Sequence, residues 1–483
     1  MAELTPTKEL PLTMSQTWLD YVCLMKRRND PISHTRLEKH AIVGLVTLSA
    51  FTAPFASTIL FPSFNTLVKH FHTTETQVAL TTTVFLIGLA IAPLWWSSLS
   101  QEYGRRPILL ISFFLSAIAV IICAVSNSMP LLIVFRLIEA AGCSSAQSVG
   151  AGVISDVFIP TERGTALGWF YLGTLIGPLV APIIGGALEI WLGWRANMYF
   201  MAIFTGGVAL LTALSLPETL VRKEPATATA PPQSQPQPQP LPSTTSSLLL
   251  RIKRDLLAPL PNLKFLLTPS IALCTAYISI CFASLYCFNS TLPYAYQAPP
   301  YNFSAIEIGL CYISNCLGYA IGSLLGGRLS DAALRSYQTS HPNSPSNPIV
   351  RLKSVWFGTP FVPLGLLVYG WLVERRVQWV APLVGAFLFG LGLMLVTSTV
   401  MPFLVDVSEG NGASVVADLN LVRNVLAAVG TVVSPVAVRG VGFGWWMTVL
   451  AGLCACGVGC LGVVAWMERK RGRGKEREGG ESV

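Results

Sequence analysis

Four ionisable residues sit inside stretches that are otherwise apolar: Arg136 and Glu139 in "VFRLIEAAG", and Asp418 and Arg423 in "VVADLNLVRNVL". A charge at the centre of a bilayer costs at least ~2.5 to 3.5 kcal/mol on the insertion scale, so residues of this kind are kept for handling protons, ions or substrates. Arg136 and Glu139 are three residues apart, share a helix face and can form a buried pair. A buried carboxylate with a cation one turn away can take up and release a proton between two compartments. A purely structural ion pair is the other reading of the same spacing. Asp418 and Arg423 are five apart, about 140° around an ideal helix, and do not face each other. Asn420, Arg423 and Asn424 do share a face. Glu139 is therefore expected to carry a coupled proton, with Asp418 second because no cation lies on its own face.

The chain that positions these residues is 483 residues long, 52% apolar and only 12% charged, with a mean hydropathy of +0.58. Soluble domains are about one quarter charged, so the composition is that of an integral membrane protein. A bilayer core of ~30 Å needs ~20 apolar residues per helix, and twelve windows qualify: 40–62, 77–98, 108–126, 130–154, 165–187, 195–216, 269–291, 307–328, 355–373, 379–402, 413–435 and 443–466. The fold class is thus all-α and polytopic. The first 39 residues are polar, carry Lys26, Arg27 and Arg28, and lack the apolar core of a cleaved leader, which predicts a cytoplasmic start. With that orientation Lys69, Arg195, Arg375, Arg376 and Arg439 fall outside, Arg136 and Arg423 lie within spans, and the rest of the 32 Lys and Arg lie inside. This obeys the positive-inside rule, with Arg375 and Arg376 as its clearest exception. The net charge of +8 then belongs to loops beside an anionic leaflet and calls for no nucleic acid.

Several classes drop out. There is no GxxxxGK[ST] loop for an ATP-driven pump and no nucleophile or cofactor motif for a membrane enzyme. No metal is expected, since the 11 cysteines lie mostly within spans as small apolar residues and the 5 histidines sit in loops or at a helix end. Sequons at Asn289 and Asn302 both fall on the outer side, and Asn302 is the candidate glycosylation site.

The organisation is two-part: a cytoplasmic tail (1–39), a six-helix bundle (40–219), a Pro, Gln and Ser-rich linker with an amphipathic basic end (220–265), a second six-helix bundle (266–467) and a basic cytoplasmic tail (468–483). "SSLSQEYGRRP" (97–107) ends the second span and "GGRLSDAALR" (326–335) ends the eighth, the same place in each half, so a duplicated six-helix unit is the economical reading. Gly104 permits a tight turn, and Arg105 and Arg106 are expected to form a gate latch with Asp331, Asp156 or Asp406. In "GTLIGPLVAPIIGG" (173–186), Gly173, Gly177, Gly185 and Gly186 flatten one face for close helix approach, while Pro178 and Pro182 break backbone bonds that a bundle tolerates. The expected partner is the counterpart helix of the other half. Tyr277, Phe282 and Tyr286 are candidates to line an apolar cavity along with Asn420 and Asn424, whereas Tyr294 and Tyr296 read as interfacial belt residues.

On these motifs the chain resembles the major facilitator superfamily, and within it the twelve-span drug:proton antiporters of fungi. The superfamily's loop pattern is matched by Leu99, Gly104, Arg105 and Arg106 and again by Gly327, Leu329 and Asp331; its span-four pattern by Arg136; the antiporter pattern by Gly173, Gly177, Pro178, Pro182, Gly185 and Gly186. The chain departs where Ser97, Gln101 and Glu102 replace the family's Gly, Asp and Arg, and where Glu139 and Ala140 replace Gln and Gly. The resemblance implies two pseudo-symmetric six-helix bundles and a monomeric proton-coupled exporter of drugs, toxins or secondary metabolites. Its implied partners are protons, a small organic substrate and membrane lipids, in the plasma membrane or alternatively the vacuolar one. The runner-up is a carrier dedicated to one endogenous metabolite, such as an organic acid or polyamine.

Overall fold

The computed structural model describes residue 25 and residues 30–220, 260–340, 349–407 and 412–480; most of the amino-terminal tail and of the linker lies outside these. Helix α1 (Arg36–Thr58) opens on a capping box in which the Thr35 side chain accepts from the Glu38 N–H and Glu38 accepts from the Thr35 N–H. It runs through a short turn into α2 (Phe64–His70). There follow α3 (Glu75–Tyr103), α4 (Arg105–Ala124), then α5 (Met129–Cys143) and α6 (Ser145–Val157) as one crossing interrupted at Ser144, α7 (Pro160–Leu192) and α8 (Trp194–Ser215). The second half holds α9 (Pro269–Gln297), α10 (Ala305–Ser340), the short α11 (Ile349–Leu352) and α12 (Val355–Gly358), then α13 (Phe361–Glu374), α14 (Val380–Val407) and α15 (Gly412–Gly480). Among the described residues ten helical segments are long and apolar enough to cross a membrane. One of them, Val415–Glu468, holds two crossings parted at Gly442 (φ 86°), and α7, apolar over Ile176–Leu192, completes the twelve. Several helices project beyond the expected spans, α10 to Ser340 and α9 to Gln297.

The duplication is visible in the packing. In the first half α1 packs on α7, α4 on α8 and α3 on α5; in the second, α10 packs on α14 and both α9 and α13 pack on α15, α9 meeting its first crossing at Gly430 and α13 its last at Met447 and Thr448. Moving each first-half pair on by six crossings gives the second-half pair. The contacts between halves, α3 with α15 and α7 with α10, exchange under the same shift.

The glycine stripe of α7 does its expected job against a different partner. A Cβ on Gly177 would stand 2.9 Å from the Phe55 backbone nitrogen, one on Gly173 would be 2.6 Å from Thr47 Cγ2, and Gly185 meets the Ile59 carbonyl, so three of the four lie on α1 and its exit turn, within the same half. Only Gly186 crosses, onto Ala305, and Gly309 of α10 answers it against the Pro182 carbonyl at 2.5 Å. The stripe spans more than one face, and Gly186 lies about 100° from Gly185 around the helix, enough to turn it to a different neighbour. Asn289 lies inside α9, 4% exposed, whereas Asn302 is exposed in the following loop at φ 50°. One further expectation is corrected. Tyr296 is not an interfacial belt residue: fully buried, it donates to the Trp379 carbonyl at 3.0 Å, while Tyr294 packs on Phe64 of the other half at 6.3 Å between rings.

Candidate functional site

Arg136 and Glu139 stand together at the heart of the first half, both with no exposed surface. Arg136 Nη1 donates to Glu139 Oε2 at 3.0 Å, its Nη2 donates to the Ala56 carbonyl at 3.0 Å, and its guanidinium lies 4.3 Å from the Phe85 ring centroid. Local structure explains the second bond. Helix α1 ends at Thr58, so the Ala56 carbonyl lies in a last turn whose acceptors lack intrahelical partners. Glu139 Oε1 is buried and finds no hydrogen-bond partner among the described residues, a state that costs about 1–3 kcal/mol, more for a charged group.

From Ala56 the site continues across the halves. Ser57 donates to the Pro54 carbonyl at 2.7 Å and its Oγ lies 3.3 Å from the hydroxyl of Tyr286 on α9. The Tyr286 ring stands 5.2 Å from Phe282, and the Arg423 guanidinium covers Phe282 at 4.4 Å from its centroid. The two intramembrane arginines thus each stack on a phenylalanine, one per half, with the Ser57–Tyr286 contact between them. Asn424 is buried and Asn420 half-buried on the Arg423 helix. Asp418 has no exposed surface, and neither carboxylate oxygen has a hydrogen-bond partner among the described residues. Tyr277 does not join the site: its ring packs against Gly457 of the last crossing, within the second half.

The expected latch divides in two, each half closing on itself. Arg105 Nε donates to Asp156 at 3.1 Å and its Nη1 to Ser100 Oγ at 2.7 Å. In the second half Arg351 of α11, which the motif reading missed, donates to Asp406 at 2.9 Å, to Asp331 at 3.0 Å and to Ser330 Oγ at 3.1 Å. Asp331 and Asp406 are therefore not partners of Arg105 or Arg106. Ser100 and Ser330 follow Leu99 and Leu329, and Asp156 and Asp406 both precede valine, so the repeated letters were a signal for the second latch. Glu218 accepts from the backbone N–H groups of Arg105 and Arg106 at 2.9 and 3.2 Å, capping α4 where Gly104 turns at φ 108°. Gly327 has open space around it.

At the opposite end the halves join each other. Arg439 pairs with Glu75 at 2.9 Å, Asn65 bonds Gln297, Phe61 stacks on Tyr312 at 6.2 Å, and Thr83 donates to the Ala428 carbonyl at 3.3 Å.

Two six-helix repeats enclosing a buried polar track define a polytopic transporter. Residues 46–435 match the Major Facilitator Superfamily, and the chain belongs to that family; it is a multi-pass integral membrane protein and not an enzyme. Among its relatives, "MFS antiporter QDR3" of Candida albicans is 28% identical over 92% of this chain and 80% of its own length. "Quinidine resistance protein 3" of Saccharomyces cerevisiae is 27% identical over 92% of this chain and 84% of its own length. In fold the chain is similar to a bacterial homolog of the human lysosomal transporter Spinster, solved in an inward-facing, unoccupied conformation (TM-score 0.58, 13% identity, covering 90% of this chain and 97% of that one).

Proposed function

We propose that the protein is a proton-coupled antiporter that exports small organic molecules by alternating access. The observation that carries this reading is the buried Arg136–Glu139 pair, whose arginine also holds the end of α1 beside the Ser57–Tyr286 contact between halves. Neutralising Glu139 with a proton weakens its hold on Arg136, which frees the guanidinium to shift its bond to Ala56 and disturb the contact one residue on. Substrate would bind between Phe282, Tyr286 and the two stacked arginines. The names of the relatives, an antiporter and a quinidine resistance protein, support export of such molecules. The positive-inside rule puts the Arg105 end in the cytoplasm, so this conformation is closed toward the outside. One proton moving down ~2 pH units and ~100 mV supplies roughly 2.7 plus 2.3 kcal/mol, enough for a gradient of several thousandfold in a neutral substrate.

The test is purified protein in liposomes with an imposed pH gradient. Glu139→Gln is expected to exchange substrate down its gradient but to lose proton-driven accumulation. Undiminished accumulation by this variant would remove Glu139 from the coupling role and turn attention to Asp418.

A further inference from the structure

An open groove of about 670 Å³ runs between α10 and α14 on the outer flank of the second half, away from the site above. Leu310, Ile313 and Leu317 line one side and Leu383, Val384 and Phe387 the other. Leu310, Leu317 and Val384 are 47%, 54% and 53% exposed, which in a membrane protein is the surface turned to lipid. From Glu307 to Leu317 the α10 wall spans about 15 Å at 1.5 Å per residue, half of a ~30 Å hydrocarbon core and hence the depth of one leaflet.

One charged residue lines the mouth of the groove, and two more lie three and four residues before Trp379 of its rim. Glu307 stands at its rim, with Oε2 accepting from the Ser304 N–H and Oγ at 2.7 and 2.8 Å. Phe303 and Trp379 meet there edge to face, 5.6 Å between centroids. Just before Trp379 come Arg375 and Arg376, both exposed and in no ion pair among the described residues. Their neighbour Glu374 is engaged elsewhere, accepting from the backbone N–H of Phe443 at 2.8 Å. Tyr301 ties the two loops at the mouth by donating to the Val377 carbonyl. These two adjacent arginines are the clearest exception to the positive-inside rule, which calls for an anion on this side.

We propose that the groove binds one zwitterionic aminophospholipid of the adjoining leaflet, with an acyl chain between α10 and α14, the phosphate on Arg375 and Arg376, and the ammonium on Glu307. Arginine matches phosphate through paired N–H bonds. A primary ammonium can donate to a carboxylate and lie over the Trp379 ring, whereas a quaternary choline has no N–H to give. A cationic amphiphile would set its charge beside two arginines, and a sterol would use none of these groups. Gly309, two residues from Glu307, presses on Pro182 of the first half, so the bound lipid braces a helix that joins the halves. The site does not depend on the direction or coupling of transport.

Native mass spectrometry of the detergent-purified full chain, offered equal phosphatidylethanolamine, phosphatidylcholine and phosphatidylglycerol, tests this. Wild type should retain the ethanolamine lipid over the choline lipid by about fivefold or more, from one charge-assisted bond. Glu307→Gln should erase that preference while total retention persists, and Arg375→Gln with Arg376→Gln should cut retention of every phospholipid. Equal retention of the three lipids by wild type, or a preference unchanged in Glu307→Gln, overturns the proposal. So does retention of an added cationic amphiphile in the lipid's place that Glu307→Gln abolishes. Thermal unfolding of each variant confirms that the surface changes leave the fold intact.

Discussion

The two ends of the bundle hold themselves together in opposite ways. At the Arg105 end each half is closed by its own ion pairs, Arg105 with Asp156 and Arg351 with Asp331 and Asp406. At the Glu75 end the bonds run between halves: Glu75 to Arg439, Asn65 to Gln297, Ser57 to Tyr286. Under the alternating access proposed above, the first kind survives the rocking of one half against the other, and the second kind must break. Rigidity within a half and movement between halves are thus assigned to different residues, and substitutions at the two ends should fail in different ways.

The largest effects are expected along α7. Gly177→Leu forces a side chain into Phe55 and Pro54 of the same half, an overpacking that costs about 1–3 kcal/mol, and should lower the amount of folded protein in the membrane. Gly186→Leu strikes Ala305 across the halves; it should leave abundance near normal, abolish transport and leave the Glu75 end open to a thiol probe on a cysteine placed there. Equal loss of abundance in both variants would break the distinction.

Arg351→Gln comes next. It leaves Asp331 and Asp406 facing each other without their shared cation, and a drop in thermal stability of the order of 1–3 kcal/mol is expected. Arg105→Gln should cost less, because in the first half Gln101 stands where the second has Asp331 and only one carboxylate is left.

The smallest effect belongs to Glu75 and Arg439. The pair is exposed enough that its worth to stability is at most about 1 kcal/mol, so Glu75→Arg should change transport rate, through easier opening, and not the melting temperature. Adding Arg439→Glu restores opposite charges and should return the rate toward wild type. A swap that leaves the rate as altered as the single change would deny the pair a part in closing that end.

What could be read from the sequence follows the range of the interactions. The spans and the Arg136–Glu139 pair are local, fixed by apolar run length and by spacing along one helix, and they stand as expected. The glycines of α7 announced a close approach, but a flat face does not name its partner, and α1 took most of it. Tyr277 was grouped with Phe282 and Tyr286 by nearness along the chain, although five residues turn a helix by about 140° and aim it at the last crossing. Arg351 lies in a helix of four residues outside any repeated motif, so only its partners, Ser330 and Asp406, were marked by the duplication.

The contact between α7 and α10 bears on how such a molecule can wear and vary. Where Gly186 meets Ala305 and Gly309 meets Pro182, main chain lies directly on main chain. Two smooth rods in touch have no interlocking side chains to lift clear of one another, so they can roll without a steric barrier at each step. A joint of this kind acts as a bearing that tolerates almost no drift in its own letters while leaving the surfaces it carries free to diverge.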